Sequence, residues 1–107
     1  MGTIFLVEMN RRANLYEVSL TNTDRVFFKR LMDYAKEHGM KGEKGYEIHL
    51  TLKQISTATD WKIRSVQHNM EKLVHAHCLI RVTTGEKPRM KTKTIIEYIF
   101  YGESEVT

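Results

Sequence analysis

The stretch Leu50–Val82, LTLKQISTATDWKIRSVQHNMEKLVHAHCLIRV, decides the fold of this chain. It opens on Thr51-x-x-Gln54, the spacing of a capping box. In that motif the threonine hydroxyl accepts from the N3 amide and the glutamine reaches back to the threonine amide. A short helix is expected there, with Leu52, Ile55 and Ala58 on its buried side. Thr59-Asp60-Trp61 interrupts it, since aspartate tolerates the left-handed backbone better than most residues. A longer helix is predicted from about Lys62 to Ala76, because Ile63, Val66, Met70, Leu73 and Val74 share one narrow arc at helical spacing. Leu79–Thr84 then reads as a strand, and Gly85-Glu86-Lys87-Pro88 as a turn. Thr94–Tyr101 is β-branched and aromatic and predicts a second strand, with Ile96, Tyr98 and Phe100 facing inward.

Upstream, Tyr46–Leu50 alternates as a short strand, with Tyr46, Ile48 and Leu50 inward and Glu47 and His49 outward. Gly39–Gly45 is expected as a basic loop. Before it, Thr21-Asn22-Thr23-Asp24 supplies N-cap chemistry for a helix from about Asp24 to His38. Its apolar side is Phe27, Leu31, Tyr34 and Ala35, widened by Val26, Phe28 and Met32. Gly39 is expected to end that helix at positive φ. Thr3–Glu8 is β-rich, and Asn14–Leu20 alternates with Tyr16, Val18 and Leu20 on one face. With Met9–Ala13 as the turn, these segments predict an N-terminal β-hairpin. The organisation expected is therefore a hairpin extension over residues 1–20, a main domain over 21–101 and a frayed tail over 102–107.

Composition narrows the function classes. The chain has 107 residues, 41% hydrophobic and 28% charged, which suits one globular domain and argues against wholesale disorder. One cysteine rules out an internal disulfide and a multi-cysteine zinc site, and fits a reducing compartment. No apolar run approaches a membrane span, and Ile4–Val7 is too short for the core of a signal peptide. A cytoplasmic protein without membrane contact is expected. The net charge is +4 and unevenly spread. Residues 61–93 hold eight cations against Glu71 and Glu86, a net +6, and the remainder holds nine against eleven, a net −2. Such polarity draws a polyanion to one end, although a merely solvated basic surface has the same composition.

The order helix, strand, short helix, turn, longer helix and basic hairpin, carried by Leu50–Val82, resembles a winged helix-turn-helix. It is similar to the reading heads of MarR-type regulators and of phage and plasmid replication initiators, over about Asp24–Tyr101. The resemblance implies an α+β fold of three helices plus a β-hairpin wing, here with the N-terminal β-hairpin extension. It implies no enzyme activity and no cofactor. It implies a sequence-specific double-stranded DNA-binding protein, a transcriptional regulator occupying an operator as a homodimer. Pairing through the N-terminal strands or helix 24–38 is one option, and completion of the domain's own sheet by strands such as Ile4–Val7 is the other. Two alternatives stay open: DNA binding in replication, conjugation or partition of a mobile element, and a protein-docking winged helix with no DNA role. The chain departs from the pattern at Asp60, Lys62, Ile63 and His77, where the usual residues are glycine, a Ser/Thr cap, a polar residue and glycine.

A helix fits the major groove, where base edges are distinguishable, and a preceding helix braces it on the backbone. Opposite the apolar arc lie Arg64, Ser65, His68, Lys72 and His75, with Asn69 at the margin. Arg64 can grip guanine in bidentate fashion, Asn69 can pair with adenine, and Ser65 can bind phosphate or a base. Lys62 and Lys72 suit phosphates. In the wing Lys87, Arg89, Lys91 and Lys93 alternate, which in a regular strand places all four on one side. Metal binding by His75, His77 and Cys78 is not expected: residues two apart on a helix diverge, and Cys78 suits a buried position. The Gly39-x-x-Gly42-x-x-Gly45 run follows a helix and precedes a strand, the reverse of a phosphate-cradling loop. No nucleophile elbow accompanies the five histidines, so no catalytic residues are assigned. Trp61 is expected as a core plug rather than a base-stacking surface.

Overall fold

The computed structural model describes residues 2–84 and 91–97. It contains, in order, α1 (Gly2–Leu15), α2 (Asn22–His38), β1 (Met40–Lys41), β2 (Gly45–Leu50), α3 (Leu52–Thr59), α4 (Ile63–His75), β3 (Ile80–Thr84) and β4 (Lys91–Glu97). This is an α+β fold of four helices and one antiparallel sheet in the order β1-β2-β4-β3. No helix among the described residues is long and apolar enough to cross a membrane.

Capping chemistry starts two of the helices where the sequence indicates. Thr21 and Asp24 form a reciprocal capping box on α2, and Thr51 and Gln54 do the same on α3. Three helices end on non-glycine residues in the left-handed region: Glu17 (φ 56°), Asp60 (φ 59°) and His77 (φ 60°). Around Glu17 and His77 the amides close back in the paired pattern that satisfies orphan carbonyls, Val18 to Ala13 and Glu17 to Asn14, then Cys78 to Leu73 and His77 to Val74. Gly39 behaves otherwise than expected. Its φ is −87°, an extended conformation open to any residue. Glycine is required there because a Cβ would lie 2.5 Å from the Ala35 carbonyl oxygen and 2.6 Å from that of Glu47.

The N-terminal β-hairpin is not formed; Gly2–Leu15 is helix α1. Met9 and Ala13, placed in a polar turn by the alternation argument, are buried one helical turn apart. Glu8 bonds Arg11 and Arg12 at the i+3 and i+4 spacings that only a helix aligns. Arg12 also reaches the Glu97 carboxylate (2.7 Å) and the His77 carbonyl, so α1 is tied to β4 and to the end of α4. Tyr16 stacks on His77 with ring centroids 3.6 Å apart. Val18 and Leu20 pack partly buried against the core as an extended connection.

The core runs through all the layers: Met9 from α1; Phe27, Phe28, Leu31, Met32 and Ala35 from α2; Ile48 from β2; Ile55 from α3; Val66, Met70 and Leu73 from α4; Ile96 from β4. The Gly39–Gly45 segment is not a plain loop, since Met40 and Lys41 pair with Glu47 and Tyr46. The strand before the helix pair joins the later hairpin at its centre: β2 pairs β4 from Gly45↔Glu97 to Leu50↔Thr92, and β3 pairs β4 from Ile80↔Ile95 to Thr84↔Lys91. β4 begins earlier than the sequence suggests, at Lys91 rather than Thr94. Thr92, Thr94 and Ile96 face the core. The predicted inward Tyr98 and Phe100, the 85–88 turn and the 102–107 tail lie outside the described residues.

Close approach at Gly45 generates a stability prediction. A Cβ there would sit 1.9 Å from the Ile96 carbonyl oxygen, whereas at Gly42 the nearest atom is the movable Glu47 Oε1 at 3.3 Å. Gly45→Ala should lower stability by about 2 kcal/mol or more through overpacking of the β2–β4 ladder. Gly42→Ala should stay within about 0.5 kcal/mol of the parent in urea denaturation. Equal stability of the two variants would contradict this register.

Candidate nucleic-acid interface

The α3–α4 corner is built on a buried polar bridge. Asp24 is 2% exposed, at the first turn of α2. Its Oδ2 accepts from the Thr21 amide (2.8 Å) and from Lys72 Nζ on α4 (2.5 Å). With the Asn69 amide turned to satisfy both neighbours, its nitrogen donates to Asp24 Oδ1 (2.9 Å) and its oxygen accepts from Trp61 Nε1 (3.1 Å). The Trp61 ring leans on Phe27 with centroids 5.9 Å apart, and Arg30 lies over the ring at 5.0 Å while donating to the Thr59 carbonyl. One carboxylate therefore joins the start of α2, the body of α4 and the turn before α4. Trp61 is the plug that the sequence indicates.

This bridge redistributes the expected site residues. Asn69 is 5% exposed and spends its amide inside the fold, so it is not presented to a base. Lys72 is 23% exposed and ion-paired with Asp24, so its charge is largely used within the chain. The physical reason is the same for both: they lie on the flank of α4 that packs against the start of α2, where a buried carboxylate demands partners. A groove of about 420 Å³ runs beside that flank, lined by Val18, His68, Glu71, Lys72 and His75 among others.

The first half of α4 differs. Lys62 and Arg64 are exposed, and their charged ends have no partner among the described residues. Ser65 is half-buried and His68 is exposed. No side chain caps α4, and its first turn holds no acidic residue, so its first amides and their partial positive charge are left without a side-chain acceptor beside Lys62 and Arg64. Ile63, placed in the core arc by its spacing, is instead 50% exposed. Val66, Asn69, Met70 and Leu73 form the buried side of α4.

On β4, Lys93 lies on the face opposite the buried Thr92 and Thr94, with its Nζ 3.5 Å from Glu47 Oε1. His49 approaches the same carboxylate, its Nε2 3.7 Å from Glu47 Oε2. Lys91 opens β4 at the same parity as Lys93. Lys87 and Arg89 lie outside the described residues. Among the described residues no group of three or more His, Cys, Asp or Glu could hold a metal ion. Cys78 is fully buried, and burial pushes its thiol up to about 12. Comparison of the chain with known protein families, curated proteins and solved structures found no match.

The bridge carries a pH signature. Burial raises the Asp24 carboxyl, but the Lys72 ammonium and the Thr21 hydrogen bonds outweigh it and hold the group below the ordinary carboxylate range. The Arg11 hydrogen bond, opposed by burial and helped by Arg12, holds Glu8 down at about 2. A depressed carboxylate contributes fully above its unfolded value and loses that contribution as pH falls through the folded one. Stability should therefore fall between pH 4.5 and about 2. Asp24→Asn should remove part of that slope and lower stability by about 2–4 kcal/mol at pH 7 by stranding Lys72. Urea denaturation across this range checks both; an unchanged acid limb in an Asp24→Asn, Glu8→Gln double variant would contradict the bridge.

Proposed function

We propose that this chain is a winged helix-turn-helix protein that binds double-stranded DNA, acting in transcriptional regulation by occupying an operator. The observation that carries the reading is the first turn of α4: uncapped, free of carboxylates and flanked by two exposed cations with no partner among the described residues. The connectivity supports it. A strand ahead of the helix pair that adds to a following hairpin is the arrangement in which α4 can enter a major groove while the hairpin follows the backbone. Docking helices of this kind use their N-terminal residues on base edges, which is the half of α4 left exposed here.

In this proposal Arg64 reads a base edge. Lys62, Ser65 and the α4 amides hold phosphates, with His68 further along the same face. Lys93 and Lys91 extend the contact along β4, and Lys87 and Arg89 belong to the same proposed wing. Asn69 and Lys72 are positioning residues for α4. A small head gains affinity by pairing on a palindrome, since one module buries only about 600–1,000 Å² on DNA. The homodimer contact is best placed on α1. Its Val7 and Leu15 are both 61% exposed and two helical turns apart, with Tyr16 and Ile80 also exposed. The outer side of α2 is instead mostly charged, with Lys29 and Asp33 paired along it. Leu15→Glu should then shift sedimentation from dimer to monomer at micromolar concentration.

Binding of selected duplexes at a series of salt concentrations tests the function. Affinity should fall steeply with salt, by roughly one log unit per log unit of salt for each phosphate neutralised. Lys62→Ala should reduce that slope by about one. Arg64→Ala should weaken binding by about 1–3 kcal/mol and relax preference at one base pair. Both variants should unfold at the parent's denaturant midpoint. Full duplex affinity in the Lys62→Ala, Arg64→Ala double variant would overturn the assignment of α4.

A further inference from the structure

We propose that Ile63 is a specificity-determining residue of this surface, making an apolar contact with the 5-methyl group of a thymine in the major groove. The proposal rests on the duplex-binding reading above and adds a chemical class of base to it. It starts from a displaced side chain. Ile63 shares the helical arc of Val66, Met70 and Leu73, yet it is half exposed while they are fully buried. Trp61 explains the displacement. Its ring packs on Phe27 and its Nε1 bonds Asn69, so the core at this end of α4 is already filled from the turn.

A single exposed isoleucine is ordinary on a protein surface. The surroundings of this one are not those of an apolar docking patch. Lys62 and Arg64 flank it in sequence, both exposed, and Arg30 covers the neighbouring Trp61. The nearest carboxylate in sequence, Asp60, belongs to the left-handed residue that closes α3. The α4 amides beside Ile63 have no side-chain cap. A ligand that suits this corner offers negative charge around a small apolar group. Among base edges in the major groove only thymine carries such a group, its methyl. Ile63 stands one residue from Arg64, so the thymine should lie within one or two base pairs of the base that Arg64 reads.

The test uses the full chain and a duplex obtained by selection, with each thymine replaced in turn by deoxyuridine, which lacks only the methyl. One replacement should weaken wild-type binding by about fourfold, the value of one buried methyl. Ile63→Ala should bind the thymine duplex about as weakly as wild type binds the uracil one, and should be indifferent to that replacement. Ile63→Val should keep part of the discrimination. Because the side chain is half exposed, thermal unfolding should confirm that the variants fold. Wild type that binds duplex tightly, with no thymine whose replacement Ile63→Ala renders silent, overturns this proposal and leaves the duplex reading standing. Equal affinity of wild type and Ile63→Ala for every duplex likewise overturns it and moves the side chain to a protein contact. Absence of duplex binding by wild type at low salt overturns the functional reading itself, and this proposal with it.

Discussion

A carboxylate buried to 2% exposure organises this molecule. Asp24 caps its own helix with Thr21, neutralises Lys72 and, through Asn69, fixes the indole of Trp61. An unpaired buried carboxylate is strongly unfavourable, so each partner is held in one position. Those partners belong to three different segments. The bridge therefore sets the angle of α4 against α2 and the path of the turn at Asp60–Lys62. A hydrophobic core alone tolerates sliding of packed helices; a bridge with directional hydrogen bonds does not.

The same bridge decides which charges are left for a partner. It draws Lys72 and Asn69 inward from the middle of α4. It leaves Lys62 and Arg64 outward at the start, beside amides without a side-chain cap. A second set of charges, Glu8, Arg11, Arg12 and Glu97, fastens α1 to the hairpin on another side of the molecule. Among the described residues of the 61–93 stretch, Lys72 is paired with Asp24 and Lys93 lies near Glu47, whereas Lys62 and Arg64 have no such partner. That difference is what makes the first turn of α4, rather than its whole outer face, the centre of the proposed contact with DNA.

Local chemistry was legible in the sequence, and competition between segments was not. The N-cap chemistry at Thr21–Asp24, the T-x-x-Q box, the left-handed Asp60 and the strands at Tyr46–Leu50 and Leu79–Thr84 depend on residues within a few positions of one another, and they appear nearly where expected. At the N-terminus β-branched and aromatic residues mask a helical signal that is present: Glu8 with Arg12, and Met9 with Ala13, each four apart. The helical arc alone puts Ile63 in the core, because it does not show that Trp61 fills the space at its end. The polarity of Asn69 suggests the surface and hides a buried role that depends on Asp24 and Trp61 on either side of it. At Gly39 backbone freedom is the expectation, whereas the need is steric and set by the Ala35 carbonyl of its own helix and the Glu47 carbonyl of β2.

In the proposed function the first turn of α4, held by the Asp24 bridge, is the surface that meets duplex DNA. Backbone amide resonances followed during titration with a short duplex test it most directly. The shifted amides should cluster over residues 61–68 and 91–93, while those of α1 and of β1 stay in place. A cluster confined to α1 and the outer side of β3, or no shift at millimolar duplex in low salt, would contradict it.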